Sequence, residues 1–142
     1  MLDKGPGLWG IQICKDMDFP HLSRDYGAKG VGLLLVPAWD LPLDGWLHSR
    51  MAVMRGVESG FTIARVAKQG LLTVSDECGR ILAQQDAATV PFASLIAIAP
   101  IRHDNTLYAR WGDWFAWLNV AGLIVLLLSS SRKRDPTLDA SH

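Results

Sequence analysis

Polar and apolar positions along the chain fall into alternating blocks of two lengths. The run Leu8-Trp9-Gly10-Ile11-Gln12-Ile13 predicts a strand that ends at Cys14. Pro20 to Lys29 predicts a short helix, opened by its proline and closed by Gly27 and Gly30. Val31 to Val36 is unbroken in its apolarity and predicts a buried strand. After the loop Pro37-Ala38-Trp39-Asp40-Leu41-Pro42-Leu43, Asp44 is placed to cap a helix from Gly45 to Ser59. Trp46, Arg50, Val53, Met54, Val57 and Phe61 recur at helical spacing and read as its core-facing stripe, with Met51 and Met54 as filler. Phe61 to Ala67 and Leu71 to Ser75 read as strands joined by the turn Lys68-Gln69-Gly70. Glu77-Cys78-Gly79-Arg80 turns the chain into Ile81 to Gln84, and Ala93 to Ala99 reads as a last strand. This order predicts an α/β (α+β) sheet layered with helices.

The last fifth of the chain changes character. From Trp114 to Ser131 there is no charge, and Asn119 is the single strongly polar side chain. At about 1.5 Å per residue the segment covers roughly 27 Å, close to the hydrocarbon thickness of a bilayer. Trp111, Trp114 and Trp117 gather at its start, and Arg132-Lys133-Arg134 follows its end. Aromatic and basic flanks of that kind predict a transmembrane helix, the other reading being a buried core helix. The basic end then belongs in the cytoplasm and the body on the opposite side, the periplasm if the membrane is a bacterial inner membrane. The expected division is a globular part over 1–105, a juxtamembrane segment over 106–113, a membrane helix over 114–131 and a basic tail over 132–142. The start, Met1-Leu2-Asp3-Lys4-Gly5-Pro6-Gly7, lacks the pattern of a cleavable signal peptide.

A formal net charge of +0 with 49% hydrophobic residues in 142 argues against a disordered chain and against nucleic acid as a partner. The two cysteines are too few for a disulfide framework, and no Cys/His cluster has zinc-ligand spacing, so neither metal nor cofactor is expected. Cys14 carries the chemistry that can be read directly. A thiol where a strand turns into a helix is exposed, and the backbone N–H groups and positive helix end favour its thiolate, which makes it a candidate nucleophile. A small buried hydrophobe is the alternative. Trp39 and Asp40, at the end of the next strand, should lie at the same edge of the sheet and are candidate substrate contacts, the alternative being a loop tryptophan that only packs. His48 reads as an exposed or satisfied side chain, His21 and His103 have no partner in sequence, and Cys78 reads as incidental.

The segment Gly10-Ile11-Gln12-Ile13-Cys14-Lys15-Asp16-Met17-Asp18-Phe19-Pro20-His21-Leu22-Ser23-Arg24 resembles the nucleophile segment of the nitrilase, or carbon–nitrogen hydrolase, superfamily. Arg55-Gly56-Val57-Glu58-Ser59 resembles the stretch on that superfamily's following helix, and Gly70 with Asp76-x-x-Gly79-Arg80 resembles its later strand turns. Thr106-Leu107-Tyr108-Ala109-Arg110-Trp111-Gly112-Asp113-Trp114, running into an apolar helix and a basic tail, is similar to the end of the bacterial apolipoprotein N-acyltransferase family. The resemblance implies the C-terminal half of a nitrilase-type αββα sandwich followed by one membrane helix.

It also implies a Glu-Lys-Cys triad in which Cys14 carries an acyl group as a thioester between a phospholipid donor and the amine of a lipoprotein's N-terminal cysteine. The backbone N–H of Lys15 would help hold the oxyanion, and Asp16 would either orient the triad lysine or cap the helix. Arg24 and Glu58 would form a structural ion pair. Only thirteen residues precede Cys14, with Lys4 their sole lysine and no glutamate, while Glu58 and Glu77 lie after it. The triad's Glu and Lys are therefore expected from elsewhere, with a separate chain as one source, and these residues alone are expected to be inactive. A membrane-tethered amidohydrolase is the alternative, favoured by Cys14-Lys15-Asp16. A half sandwich would also expose an apolar sheet face.

Overall fold

The structure, a computed structural model, describes residues 2–3, 7–41 and 43–132. Lys4 and the tail beyond residue 132 lie outside the described residues. Two compact units result, Met1–Gly112 and Asp113–His142.

The first unit is built on a six-stranded mixed sheet whose strands lie in sequence order: β1 (Leu2–Asp3), β2 (Leu8–Ile11), β3 (Val31–Trp39), β4 (Thr62–Lys68), β5 (Leu71–Ser75) and β6 (Ile81–Asp86). β2, β3 and β4 run parallel, with Gly10 opposite Leu34 and Leu34 opposite Ile63. Parallel neighbours need crossovers, and these are the helices α1 (Pro20–Ala28) and α2 (Gly45–Ser59). β4, β5 and β6 continue as an antiparallel meander through the Lys68-Gln69-Gly70 turn. Leu34, Val36 and Ile63 meet Met17, Ala52 and Phe61 in a core between sheet and helices, with Tyr26 packed on its rim.

Most expected elements form within a few residues of their expected ends, but α2 lies on a different face from the one its large side chains indicated. Its buried positions are Gly45, Ser49, Ala52, Val53, Gly56 and Ser59, whereas Trp46, Met54 and Val57 are exposed. The helix lies so close to the sheet that a Cβ on Gly56 would come within 2.9 Å of both the Ile63 side chain and the Phe61 carbonyl. Small residues permit that approach, so Met54 is not core filler. Asp44 precedes the helix as expected without capping it; its Oδ1 instead accepts the Leu41 N–H at 3.0 Å.

The expected strand over 93–99 does not form. Among the described residues, 87–102 join no ladder, and the chain is tied instead to β4 and the end of α2. The Thr62 hydroxyl donates to the Pro100 carbonyl at 2.6 Å and the Asp104 N–H to Gly60 at 2.8 Å. Phe92, Ile96 and Ile98 are left facing solvent, as is Val66, which alternation along β4 puts on the face opposite Arg65 and Ala67. A short helix not foreseen, α3 (Leu107–Trp111), closes the unit, its first turn capped by the Thr106 hydroxyl accepting the Ala109 N–H at 3.0 Å.

The second unit is the helix α4 (Trp114–Arg132). Its 18-residue stretch Trp114–Ser131 is long and apolar enough to cross a membrane by length and composition, and none of it is buried. The hydroxyls of Ser129 and Ser131 and the amide of Asn119 turn back to carbonyls one turn earlier. Their polarity is thereby satisfied within the helix, as an apolar medium requires.

Candidate active site

Cys14 stands three residues beyond the carboxyl end of β2, where a parallel sheet presents its ligand crevice. The strand end is fixed before it. The Gln12 N–H donates to Leu35 at 3.1 Å, and its buried side-chain oxygen accepts the Ser23 hydroxyl of α1 at 2.9 Å. The next residues wind into a 3-10 turn, Cys14–Asp18, which is the local reason the thiol projects. Cys14 itself has φ 46°, a left-handed conformation that a side chain other than glycine's seldom adopts. Asp16 Oδ2 accepts the Ile13 N–H at 2.8 Å, closing the turn from within, which is the capping role among the two expected of it. From below, Met17 is buried in the core and its carbonyl accepts Arg55 Nε at 3.0 Å.

The thiol points along the edge of the sheet and donates to the Trp39 carbonyl at 3.7 Å, so the ends of β2 and β3 meet at Cys14. Beside it is a small pocket that Cys14 and Lys15 share with Asp40, His48 and Arg65. Arg65 Nη2 lies 2.6 Å from Asp40 Oδ1 with the two side chains 3% and 0% exposed, a buried ion pair. A second Arg65 nitrogen donates to the Leu71 carbonyl at 3.2 Å. His48 Nδ1 lies 3.3 Å from the same Asp40 oxygen, and His48 Nε2 lies 3.4 Å from Lys15 Nζ. Lys15 also pairs with Asp18 at 3.3 Å. A continuous polar chain thus runs Arg65, Asp40, His48, Lys15 across the floor and rim of the Cys14 pocket.

Of the residues singled out in sequence, Cys14, Lys15, Asp40 and the Trp39 carbonyl come together here. The Trp39 ring turns outward, under Lys68 Nζ at 4.3 Å from its centre, with its indole N–H donating to Gln69 Oε1 at 3.0 Å. The expected Arg24–Glu58 pair does not form among the described residues. Glu58 pairs with Arg55, one turn away on the same helix, while Arg24 lies against Gly112, where an added Cβ would meet its Nη1 at 2.0 Å. His48 and Arg65 are the site residues the sequence reading passed over. Arg65 carried a usable signal, because a charge inside an apolar β-branched strand must find a partner. Away from this site, Glu77, Cys78 and Asp104 bring ligand atoms within 4.8 Å of one another and could hold a metal ion, though Arg102 lies 3.7 Å from Glu77 and 3.9 Å from Asp104.

A cysteine-bearing turn beyond the end of a parallel strand, with a mixed sheet layered by helices, defines a class of fold. Similar folds are found in an amidase of the nitrilase superfamily from Nesterenkonia AN1, at 24% identity and a TM-score of 0.53 over 61% of this chain and 36% of that one. Nit3 of Saccharomyces cerevisiae, another member of the superfamily, matches at 26% identity and a TM-score of 0.52 over 55% of this chain and 33% of that one. The chain has the fold of the nitrilase superfamily. No family model matches the sequence. In sequence it is similar to apolipoprotein N-acyltransferases: 32% identical to that of Geobacter metallireducens over 94% of this chain and 26% of that protein, and 36% identical to that of Thermotoga maritima over 87% and 25%. It spans about a quarter of the length of these relatives.

Proposed function

We propose that this chain is the nucleophile-bearing part of an N-acyltransferase that moves an acyl group from a phospholipid to the amine of a lipoprotein's N-terminal cysteine. The observation that carries the reading is Cys14 at φ 46° beside a polar pocket, in a sequence similar to enzymes of that name. In the first step the Cys14 thiolate adds to the ester carbonyl, the tetrahedral oxyanion collapses, and a lysophospholipid leaves as its oxygen takes up a proton. In the second, the amine attacks the thioester, an amide forms and the thiol is released. The Lys15 N–H, in the first turn of a helical segment where N–H groups lack an intrahelical acceptor, is offered to the oxyanion. Trp39 contacts substrate with its exposed ring, and Asp40, already held by Arg65 and His48, positions charge beneath the pocket.

Glu58 sits on α2 paired with Arg55, and Glu77 lies buried after β5, so neither stands at the Cys14 pocket as a base. We infer that the general base and the oxyanion lysine come from polypeptide outside these residues, on the same or a separate chain, and that the residues described here do not turn over alone. α4 fits a bilayer location, and the basic residues after it support a cytoplasmic tail with the Cys14 unit on the periplasmic side of an inner membrane.

The test is mass spectrometry of the purified chain after incubation with phospholipid vesicles, with and without the preceding portion of a relative supplied. An acyl thioester on Cys14 that appears only with the added portion is expected. A thioester on this chain alone would overturn the inactivity. Release of ammonia from simple amides by the completed protein, with no acylation from phospholipid, would favour the membrane-tethered amidohydrolase suggested by the amidase neighbour.

A further inference from the structure

The turn between β3 and α2 leaves five large apolar side chains in water. Trp39 is 63% exposed, Leu41 65%, Leu43 100%, Trp46 63% and Leu47 53%. They form one surface because the turn is closed. The Leu41 N–H donates to Asp44 at 3.0 Å, and Gly45 returns against Asp40, where an added Cβ would lie 3.6 Å from the Asp40 Cβ. Trp39 and Trp46 are the sequence neighbours of those two touching residues. Each indole carries a cation, Lys68 Nζ at 4.3 Å from the Trp39 ring centre and Arg50 at 5.6 Å from that of Trp46. Of the carboxylates of the turn, Asp40 is buried on Arg65, and Asp44, 35% exposed, is engaged by the Leu41 N–H and lies 3.6 Å from His48. What faces outward is therefore aromatic, aliphatic and positive.

We propose that this surface docks into the headgroup layer of an anionic phospholipid bilayer, with Trp39, Leu41, Leu43, Trp46 and Leu47 seated among the acyl-chain ends and Arg50 and Lys68 on the phosphates. Indole rings favour the membrane interface, and Lys or Arg beside them gain from a negative leaflet. The turn begins at the carbonyl that accepts the Cys14 thiol, so a docked surface presents lipid esters to the nucleophile from the side. This deepens, and rests on, the reading of the chain as a lipid acyltransferase.

The experiment uses the full chain reconstituted in vesicles, with Cys14→Ser and Cys78→Ser, and the fully exposed Leu43→Cys labelled with an NBD fluorophore. In vesicles containing phosphatidylglycerol, blue-shifted emission quenched at least twofold by a shallow doxyl-labelled lipid is expected. Arg50→Gln with Lys68→Gln should cut that quenching by half or more. A label that stays water-exposed while the chain remains in the vesicles would overturn the proposal. Shielding that instead rises with protein density would also overturn it, by assigning the surface to a second copy of the chain. The readout does not involve acylation. A completed protein that acylates Cys14 without docking refutes the surface alone, and a docked chain whose completed form never acylates refutes the transferase reading alone.

Discussion

Removing the Asp40 carboxylate isolates the charge of Arg65 beneath the Cys14 pocket. The two side chains are 0% and 3% exposed and lie 2.6 Å apart, so the lost partner leaves a charge almost wholly removed from solvent. At an effective dielectric constant of about 20, unit charges roughly 4 Å apart attract by about 4 kcal/mol. Breaking one side of a buried pair costs about 3–5 kcal/mol, in agreement. Asp40→Ala should therefore lower stability by that amount, and at about 4 °C per kcal/mol for a domain of roughly 100 residues the midpoint should fall by about 12–20 °C. The assay is thermal unfolding in mild detergent followed by tryptophan emission, with Arg65→Met and the double variant alongside. Removing both charges should recover much of the loss, since a pair replaced by apolar groups is often close to neutral. An Asp40→Ala variant within about 1 kcal/mol of the parent, or a double variant as unstable as the two singles added, would refute the account of the pocket floor.

Three further outcomes follow from the same structure. Burial pushes the Asp76 carboxyl up, but the N–H groups of Arg80 and Cys78 and the Arg80 guanidinium outweigh it and hold its pKa below the usual value of 3.8. Its contribution to stability is thus present above 3.8 and lost as pH falls through the lower folded value, so Asp76→Asn should flatten the acid limb of a stability-versus-pH curve. Gly60→Ala should cost more than about 2 kcal/mol in denaturant titration, combining a left-handed position with a clash: Gly60 has φ 74° and its added Cβ would lie 1.8 Å from the Asp104 carbonyl. Gly70→Ala would drive a methyl to 2.0 Å from Asp40 Oδ2, so it should disturb the Arg65–Asp40–His48 chain and slow Cys14 alkylation or speed it, whereas an unchanged alkylation rate would detach that chain from the thiol.

Much of the architecture was legible from periodicity because the sheet and its crossovers obey local rules. Val31 to Val36 could only be a buried strand, and Pro20 opened α1 where a missing N–H does no harm. What periodicity hid was how close α2 comes to the sheet. Of the large apolar side chains counted along the helix, Val53 is buried but Trp46, Met54 and Val57 are outside, and the rest of the contact face is small: Gly45, Ser49, Ala52, Gly56 and Ser59. Hydrophobicity ranks residues by size as much as by burial, so a tight interface of small residues reads as polar. The 93–99 segment misled for the opposite reason, since its apolar residues suggested a strand, whereas the chain joins no ladder there and leaves Ile96 and Ile98 exposed. Cys14 was found by its position at a strand–helix turn. His48 was expected to be exposed or satisfied and is satisfied, but its place at the site was not legible because its partners, Asp40 and Lys15, lie eight and thirty-three positions away.

The backbone at Cys14 has one more consequence. At φ 46° the position suits glycine, and a side chain there costs about 1 kcal/mol or more. The local backbone and the side chain it carries therefore pull in different directions. Cys14→Gly should yield a protein more stable than its parent in denaturant titration, and an unchanged or lower stability would refute the strain. Stability alone would place glycine here, so the cysteine is a residue that the fold by itself does not ask for.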